Sequence, residues 1–184
     1  ESVWAAQAVI PLGVAPCHTP GSAAHDGSIL FACRLVRRKG CGWFIAQVLP
    51  LLPPGTVLKV AGTSWDEAER AALAHPQVRF LGPLAPDDLA AHYARALCVI
   101  APNIEVPEGE FEGFGLVAPE ATAAGGVVLA AASGGLCDAV IDGETGFLLP
   151  SGDAPAWAAR IAEVAGWSDA TRASFTRWAT AKAR

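Results

Sequence analysis

The sequence of 184 residues contains no methionine, and even its first position is occupied by Glu1. We therefore expect the chain to be part of a longer protein. No apolar run approaches the ~20 residues of a membrane-spanning helix, since the run 125–132 ends at Ser133. No basic segment followed by an apolar one marks a secretory signal. We expect no transmembrane segment and a cytoplasmic location.

The small number of basic residues and the absence of closely spaced cysteine pairs argue against two further classes of function. Lys and Arg number 13 against 18 Asp and Glu, for a net charge of -5, and the basic stripe that nucleic-acid binding needs is missing. The five cysteines include no Cys-x-x-Cys pair, which argues against a disulfide framework or a zinc site. We expect no nucleic-acid partner. Buried, reduced thiols are expected at Cys17, Cys33, Cys41, Cys98 and Cys137.

Apolar residues, in contrast, make up 52% of the chain and come in short runs that alternate with helical patterns. This alternation predicts an α/β fold, a Rossmann-like doubly wound parallel β-sheet with helices on both faces. The Gly- and Pro-rich segment 1–27 is predicted to be a linker, and 28–184 a single domain. Strands are predicted at 28–33, 57–61, 78–81, 97–101, 127–131 and 147–149. Helices are predicted at 42–49, 65–74, 87–95, 115–124, 136–141, 154–165 and 169–183.

The loop after Ala101 carries the most chemistry, and it lies where such sheets bind ligands, beyond the carboxyl end of a strand. Gly113 and Gly115 let the backbone approach a ligand closely. The amides of Gly115, Leu116 and Val117 open a predicted helix, and a helix start favours an anion. We predict that a phosphate group binds here.

The same segment matches a dinucleotide fingerprint by letter, G-x-G-x-x-[GA], through Gly113, Gly115 and Ala118. That fingerprint belongs directly after the first strand of its unit. Here a long acidic loop precedes it and the strand is a late one. We therefore set aside a dinucleotide oxidoreductase.

Five segments, taken together, carry a family signature. Glu112 and Glu120 are separated by seven residues, with Phe114-Gly115 between them. The other segments are the basic run 34–40, the strand end 78–82, the Gly-Gly loop 133–136 and the turn 142–148. Taken in chain order over 29–150, the five segments resemble those of the retaining group 1 glycosyltransferases of GT-B fold, whose signature is E-x7-E. The resemblance implies the C-terminal, donor-binding half of a two-domain enzyme, and 10–14 is similar to the junction between the halves.

The resemblance implies a role for each matched residue. Arg34 and Lys39 match the basic pair that contacts the donor diphosphate and offsets the charge on the leaving group. Glu112 matches the residue that binds the donor sugar, Glu120 the residue that holds the ribose hydroxyls, and the backbone of Leu84 the position at the base. Further donor-binding positions are Phe114, Gly115, Leu116, Val117 and Gly134. Since cations take the place of a metal, the resemblance implies neither a metal nor another cofactor.

The implied function is transfer of a sugar from a nucleoside-diphosphate sugar with retention of anomeric configuration. The acceptor domain would precede this chain, so we expect the chain alone to bind nucleotide and transfer little. Peripheral membrane association of the longer protein stays open. So does the donor, because the acidic loop 103–111 and Asp138 depart from the family pattern. A non-catalytic nucleotide-binding module and a nucleotide-sugar epimerase of the same fold are the alternatives.

Overall fold

The computed structural model describes residues 24–64, 66–106 and 113–183. Six parallel strands form one sheet in the order β3-β2-β1-β4-β5-β6. The strands are β1 (Ile29–Ala32), β2 (Leu58–Ala61), β3 (Val78–Gly82), β4 (Cys98–Ala101), β5 (Val128–Ala131) and β6 (Phe147–Leu149). The chain reverses its direction of travel across the sheet between β1 and β4, which creates a topological switch point.

Continuous apolar runs explain the central strands. Every residue of β4 and β5 is buried, and both read as unbroken runs of small and branched apolar residues. A strand covered on both faces needs this pattern rather than alternation. The edge strand β3 is different, because Arg79 and Phe80 are exposed there. All six predicted strands are thus confirmed, with boundaries shifted by one residue at most.

Helices cover both faces of the sheet, because right-handed crossovers before and after the switch point run on opposite sides. They are α1 (Cys41–Trp43), α2 (Glu67–Ala72), α3 (Pro86–Arg95), α4 (Val117–Ala123), α5 (Leu136–Ala139), α6 (Ala154–Ala165) and α7 (Asp169–Lys182). On one face α1 and α2 pack together, and on the other α4 packs against α3, α5 and α7. The predicted doubly wound fold is therefore present.

Local sequence explains where several helices begin. Asp66 caps α2 by accepting from Ala68 N–H and Glu69 N–H at 2.9 and 3.2 Å. Asp153 and Ser168 cap α6 and α7 in the same way. Such caps satisfy amides that have no partner inside the helix.

The predicted helix 42–49 is present but irregular. The short α1 continues as a π-helix at Phe44–Val48 and ends as a 3-10 turn at Leu49–Leu51. Pro50 lies in that last turn, and a proline has no N–H with which to continue an α-helical ladder. Trp157 of α6 is fully buried against this helix and stands edge-on to Phe44 at 6.2 Å.

Two expectations from the sequence need correction or remain open. Cys41 and Cys98 are buried as predicted, but Cys33 is half-buried and Cys137 is exposed. The prediction of buried thiols is thus wrong for these two, because Cys33 lies at a pocket and Cys137 on the outer side of α5. Cys17 and most of the predicted linker lie outside the described residues. Among the described residues, no helix is both long and apolar enough to cross a membrane.

Candidate donor-binding site

A pocket of about 360 Å³ opens beyond the carboxyl end of β1, at the switch point of the sheet. Arg34, Arg38 and Lys39 line one side of it, and the segment 113–117 with Glu120 lines the other. Positive charge from the loop after β1 therefore faces the loop and helix start that follow β4. The pocket joins groups that are far apart in sequence, as the strand order requires.

The basic loop, residues 34–40, is fixed at several backbone positions. Its start is joined to the next strand, since Leu35 N–H donates to Thr63 O at 2.8 Å. Its middle is joined to the loop after β4, since Ile104 N–H donates to Arg38 O at 3.0 Å. The loop is thus held between two strand ends, and Lys39 is largely buried there.

Gly40 ends the basic loop in a conformation that other residues rarely adopt. Its φ is +73°, and an added Cβ would lie 1.9 Å from Pro102 O. A side chain at this position would therefore meet both backbone strain and a clash. The close approach allows the basic loop to lie against the loop after β4.

The opposite wall has its own close backbone contact. Gly115 has a φ of +74° just before α4. A Cβ added to Gly135 would lie 2.2 Å from Gly113 O, so the Gly-Gly loop packs directly on this wall. The sequence pairs these two glycine segments only through the family pattern, and the structure supplies the contact that explains both.

Glu120 is the fourth residue of α4, in its first turn, and lines the pocket. Its side chain is exposed overall, yet partial desolvation by the surrounding protein raises the pKa of its carboxyl. The buried Tyr93 of α3 lies nearby: desolvation raises the pKa of its hydroxyl, and the Glu120 charge adds to this. An ionised carboxylate here offers only acceptor oxygens, which suits hydroxyl groups of a ligand.

A second pocket of about 210 Å³ adjoins the first. Thr63, Pro83 and Leu84 line it, and it shares Cys33 and Arg34 with the larger pocket. The smaller pocket is mostly apolar, whereas the larger one carries the charged groups. One extended ligand can therefore place an apolar part and an anionic part on either side of Arg34.

The predicted site residues fall into three groups. Those that line the larger pocket are Arg34, Lys39, Phe114, Gly115, Leu116, Val117 and Glu120. Leu84 lines the smaller pocket, whereas Gly134 lines neither pocket and directly precedes Gly135, which packs on Gly113. Glu112 lies outside the described residues.

Two pocket residues were not predicted from the sequence. Arg38 lines the larger pocket, and its place in the same basic run as Lys39 was the available signal. Cys33 lines both pockets, and its position at the end of an apolar strand run could have indicated this. Residues directly after a buried parallel strand tend to face a ligand.

Comparison with known proteins assigns the chain to a family. The family model described as "Glycosyl transferases group 1" matches residues 26–166, which is most of the chain. The chain belongs to the group 1 glycosyltransferases. The chain is therefore a C-terminal domain of this family, and the resemblance to group 1 glycosyltransferases of GT-B fold is confirmed.

Curated relatives of this glycosyltransferase domain are named D-inositol 3-phosphate glycosyltransferase. The protein from Corynebacterium aurimucosum is 49% identical over 81 residues, which are 44% of this chain and 18% of that protein. The protein from Corynebacterium kroppenstedtii is 37% identical over 155 residues, which are 77% of this chain and 33% of that protein. The chain thus spans a third or less of the length of these relatives.

A solved structure with the same fold is that of Anabaena Alr3699/HepE in complex with UDP-glucose. It is 25% identical in sequence, with a TM-score of 0.71, and the match covers 88% of this chain and 44% of that one. The group 1 glycosyltransferase domain described here thus resembles about half of a protein whose structure contains a nucleotide sugar.

Proposed function

We propose that this domain binds the donor of a retaining glycosyltransferase, a nucleoside-diphosphate sugar. The observation that carries the proposal is the convergence of Arg34, Lys39 and Glu120 on one pocket at the switch point. Two cations and one carboxylate match the two kinds of polar group in such a donor, its diphosphate and its hydroxyls. Neighbouring apolar space is available for a base.

Arg34 and Lys39 are proposed to hold the diphosphate. Charge-assisted hydrogen bonds to phosphate oxygens are among the strongest in proteins. Cations placed at the leaving group also stabilise the charge that builds up there as the glycosidic bond breaks. We assign this task to the side chains because α4 is only seven residues long. A contribution from the amides at 115–117 remains a prediction, as does catalysis without a metal.

Glu120 is proposed to bind the ribose hydroxyls, and the smaller pocket at Leu84 the base. A carboxylate can accept hydrogen bonds from two neighbouring hydroxyls at once. Glu112 is proposed to orient the donor sugar, on the basis of the E-x7-E pattern alone.

UDP-glucose is the first donor to test, because the Anabaena structure contains it. The names of the corynebacterial relatives make D-inositol 3-phosphate the first acceptor to test with the longer protein. Acceptor binding is proposed to belong to a preceding domain, as in other enzymes of GT-B fold. Retention of anomeric configuration is proposed on the basis of the family pattern, and analysis of the product's configuration tests it.

The test is nucleotide binding by the 184-residue chain. UDP, GDP, ADP and their sugar conjugates are added in a thermal-shift panel, where a ligand at about a hundred times its Kd adds about 2.7 kcal/mol of stability. We expect one nucleotide to raise the melting temperature, and Arg34→Ala or Glu120→Ala to abolish the shift. The exposed Arg177, on α7 away from the pocket, supplies the control Arg177→Ala.

Three outcomes separate the interpretations. A shift that depends on Arg34 and Glu120 supports the donor site and identifies the base. A shift that the sugar does not increase and that Glu112→Ala leaves unchanged would favour a non-catalytic nucleotide-binding module. Absence of any shift, confirmed by calorimetry, would overturn donor binding by this chain.

A further inference from the structure

A buried carboxylate outside the donor pocket contacts the helix that follows the basic loop. Glu69 of α2 is only 6% exposed, whereas Glu67 on the same helix is exposed. The Gly42 N–H donates to Glu69 Oε2 at 2.9 Å, across 27 positions of sequence. Burial raises the pKa of the Glu69 carboxyl, an effect that this hydrogen bond and nearby Arg37 oppose. Burial of a carboxylate costs free energy, so the contact requires an explanation.

The explanation is that Gly40 has no side chain with which to cap α1. Gly40 is the N-cap residue of α1 and makes no side-chain cap. The first amides of any helix have no partner inside it, and Ser, Thr, Asp or Asn usually supplies one from the cap position. None of these fits here, because a Cβ on Gly40 would lie 1.9 Å from Pro102 O. The cap therefore has to come from another element, and Glu69 provides it.

The contact also completes the attachment of the basic loop. The loop start is joined to Thr63 and its middle to Ile104 through backbone hydrogen bonds. Its end runs directly into α1, whose N-terminus Glu69 holds. Lys39 lies between the last two attachments and faces the pocket. Loss of the hydrogen bond between Gly42 and Glu69 frees the end of the basic loop, which carries Lys39.

We infer that Glu69 is a positioning residue for donor binding: by capping α1 from a neighbouring helix, it fixes Lys39 at the diphosphate, although Glu69 itself does not line the pocket. This inference rests on the proposed function, since it requires that Lys39 contacts a diphosphate. The affinity for the two phosphates then depends in part on α2, which lies on the opposite side of the basic loop from α4.

The test compares UDP with UMP by calorimetry on the 184-residue chain, or GDP with GMP if the panel selects guanine. We expect Glu69→Ala to weaken UDP binding about fivefold, the scale of a lost helix cap. UMP binding should change less, because it lacks the second phosphate. Glu69→Gln keeps an oxygen that accepts the Gly42 N–H, so UDP binding should stay within about twofold of that of the wild-type protein.

The matched control is Glu67→Ala, which removes an exposed carboxylate from the same helix and should leave both affinities unchanged. If Glu69→Ala does not fold, Glu69→Asp takes its place, because its shorter side chain keeps the charge but withdraws it from Gly42. Unchanged UDP binding in Glu69→Ala, or in Glu69→Asp where that variant replaces it, would overturn the inference alone. Equal losses for UDP and UMP would mean a merely structural role and would overturn it as well. Failure of the wild-type chain to bind any nucleotide would overturn the proposed function, and the inference with it.

Discussion

Single residues decide how closely the walls of the donor pocket approach the rest of the fold. Gly40 and Gly135 each lie within contact distance of another loop's backbone, where no side chain fits. The sequence indicated the importance of the Gly-Gly loop and the basic run as family segments. It did not indicate why glycine is required, because the partners Pro102 and Gly113 are distant in sequence and only the folded sheet brings them together.

Asp26, near the amino end of β1, makes stability depend on pH. Its carboxylate accepts from Lys59 Nζ at 2.5 Å and from Ser28 N–H at 3.0 Å. Desolvation acts to raise its pKa, but these hydrogen bonds and that of the Ser28 hydroxyl outweigh it and lower the pKa from 3.8 to about 2. A carboxyl whose pKa is lower in the folded state stabilises the fold above its unfolded pKa. That contribution is lost as the pH falls toward 2.

We therefore predict that Asp26→Asn lowers the free energy of unfolding by about 1–2 kcal/mol at pH 7. The difference from the wild-type protein should shrink as the pH falls from about 5 toward 2. Urea denaturation at several pH values measures it, with Asp87→Asn on the exposed side of α3 as the control. A difference that stays constant across this pH range would contradict the assignment.

At the scale of elements, the buried side chain of Arg172 joins α7 to the sheet. Arg172 is 3% exposed, and its guanidinium donates to Leu97 O and Ala96 O at 2.8 and 2.6 Å. These carbonyls lie directly before β4. Removal of a buried donor leaves its acceptors without partners, which costs more than the hydrogen bond itself contributes. Arg172 therefore contributes to the attachment of the closing helix, beside the stacking of Phe175 on Phe147 of β6.

We predict that Arg172→Ala lowers the free energy of unfolding by about 3 kcal/mol. Arg177→Ala, an exposed position on the same helix, should change it by less than about 0.5 kcal/mol. Urea denaturation measures both, and similar effects of the two variants would contradict the role assigned to Arg172. Nucleotide binding by folded Arg172→Ala should persist, since α7 does not line the donor pocket.

Elements differ in how well the sequence predicts them. The central strands β1, β4 and β5 could be predicted because continuous apolar runs of four residues are local signals. The bounds of α6 were also predicted, and the structure shows Asp153 as its cap and Gly166 directly after its last residue. The π-helical stretch after α1 was missed, as was the cap from Glu69, because each depends on contacts between distant segments. Local sequence patterns predict burial well, but they predict poorly a helix cap that comes from a distant segment of the chain.

At the scale of the whole molecule, the switch point brings the basic loop and the segment before α4 to one pocket. The parallel sheet could be predicted from the alternation of elements, and the placement of most site residues followed from it. The division into two pockets that share Cys33 and Arg34 could not be predicted, because it depends on how β1, β2 and β4 end relative to one another.

We predict that this chain binds nucleotide but transfers sugar at least about a hundredfold more slowly than a longer protein in which it is joined to an acceptor domain, because an acceptor would not be positioned. Release of UDP from UDP-glucose, with D-inositol 3-phosphate present, measures the rate of each. Arg34→Ala in the longer protein is the control for donor-dependent transfer. Comparable rates for the chain and the longer protein would contradict the assignment of the acceptor site to another domain.

The two edge strands of the sheet determine whether copies of the molecule can associate by strand addition at high concentration. An open edge strand is a template on which another chain can add, and proteins block it with charge, proline or short length. The edge strand β3 exposes Arg79, and β6 is only three residues long and is followed by Pro150. Each edge thus resists strand addition, and the sheet should stay limited to six strands rather than grow into a polymer.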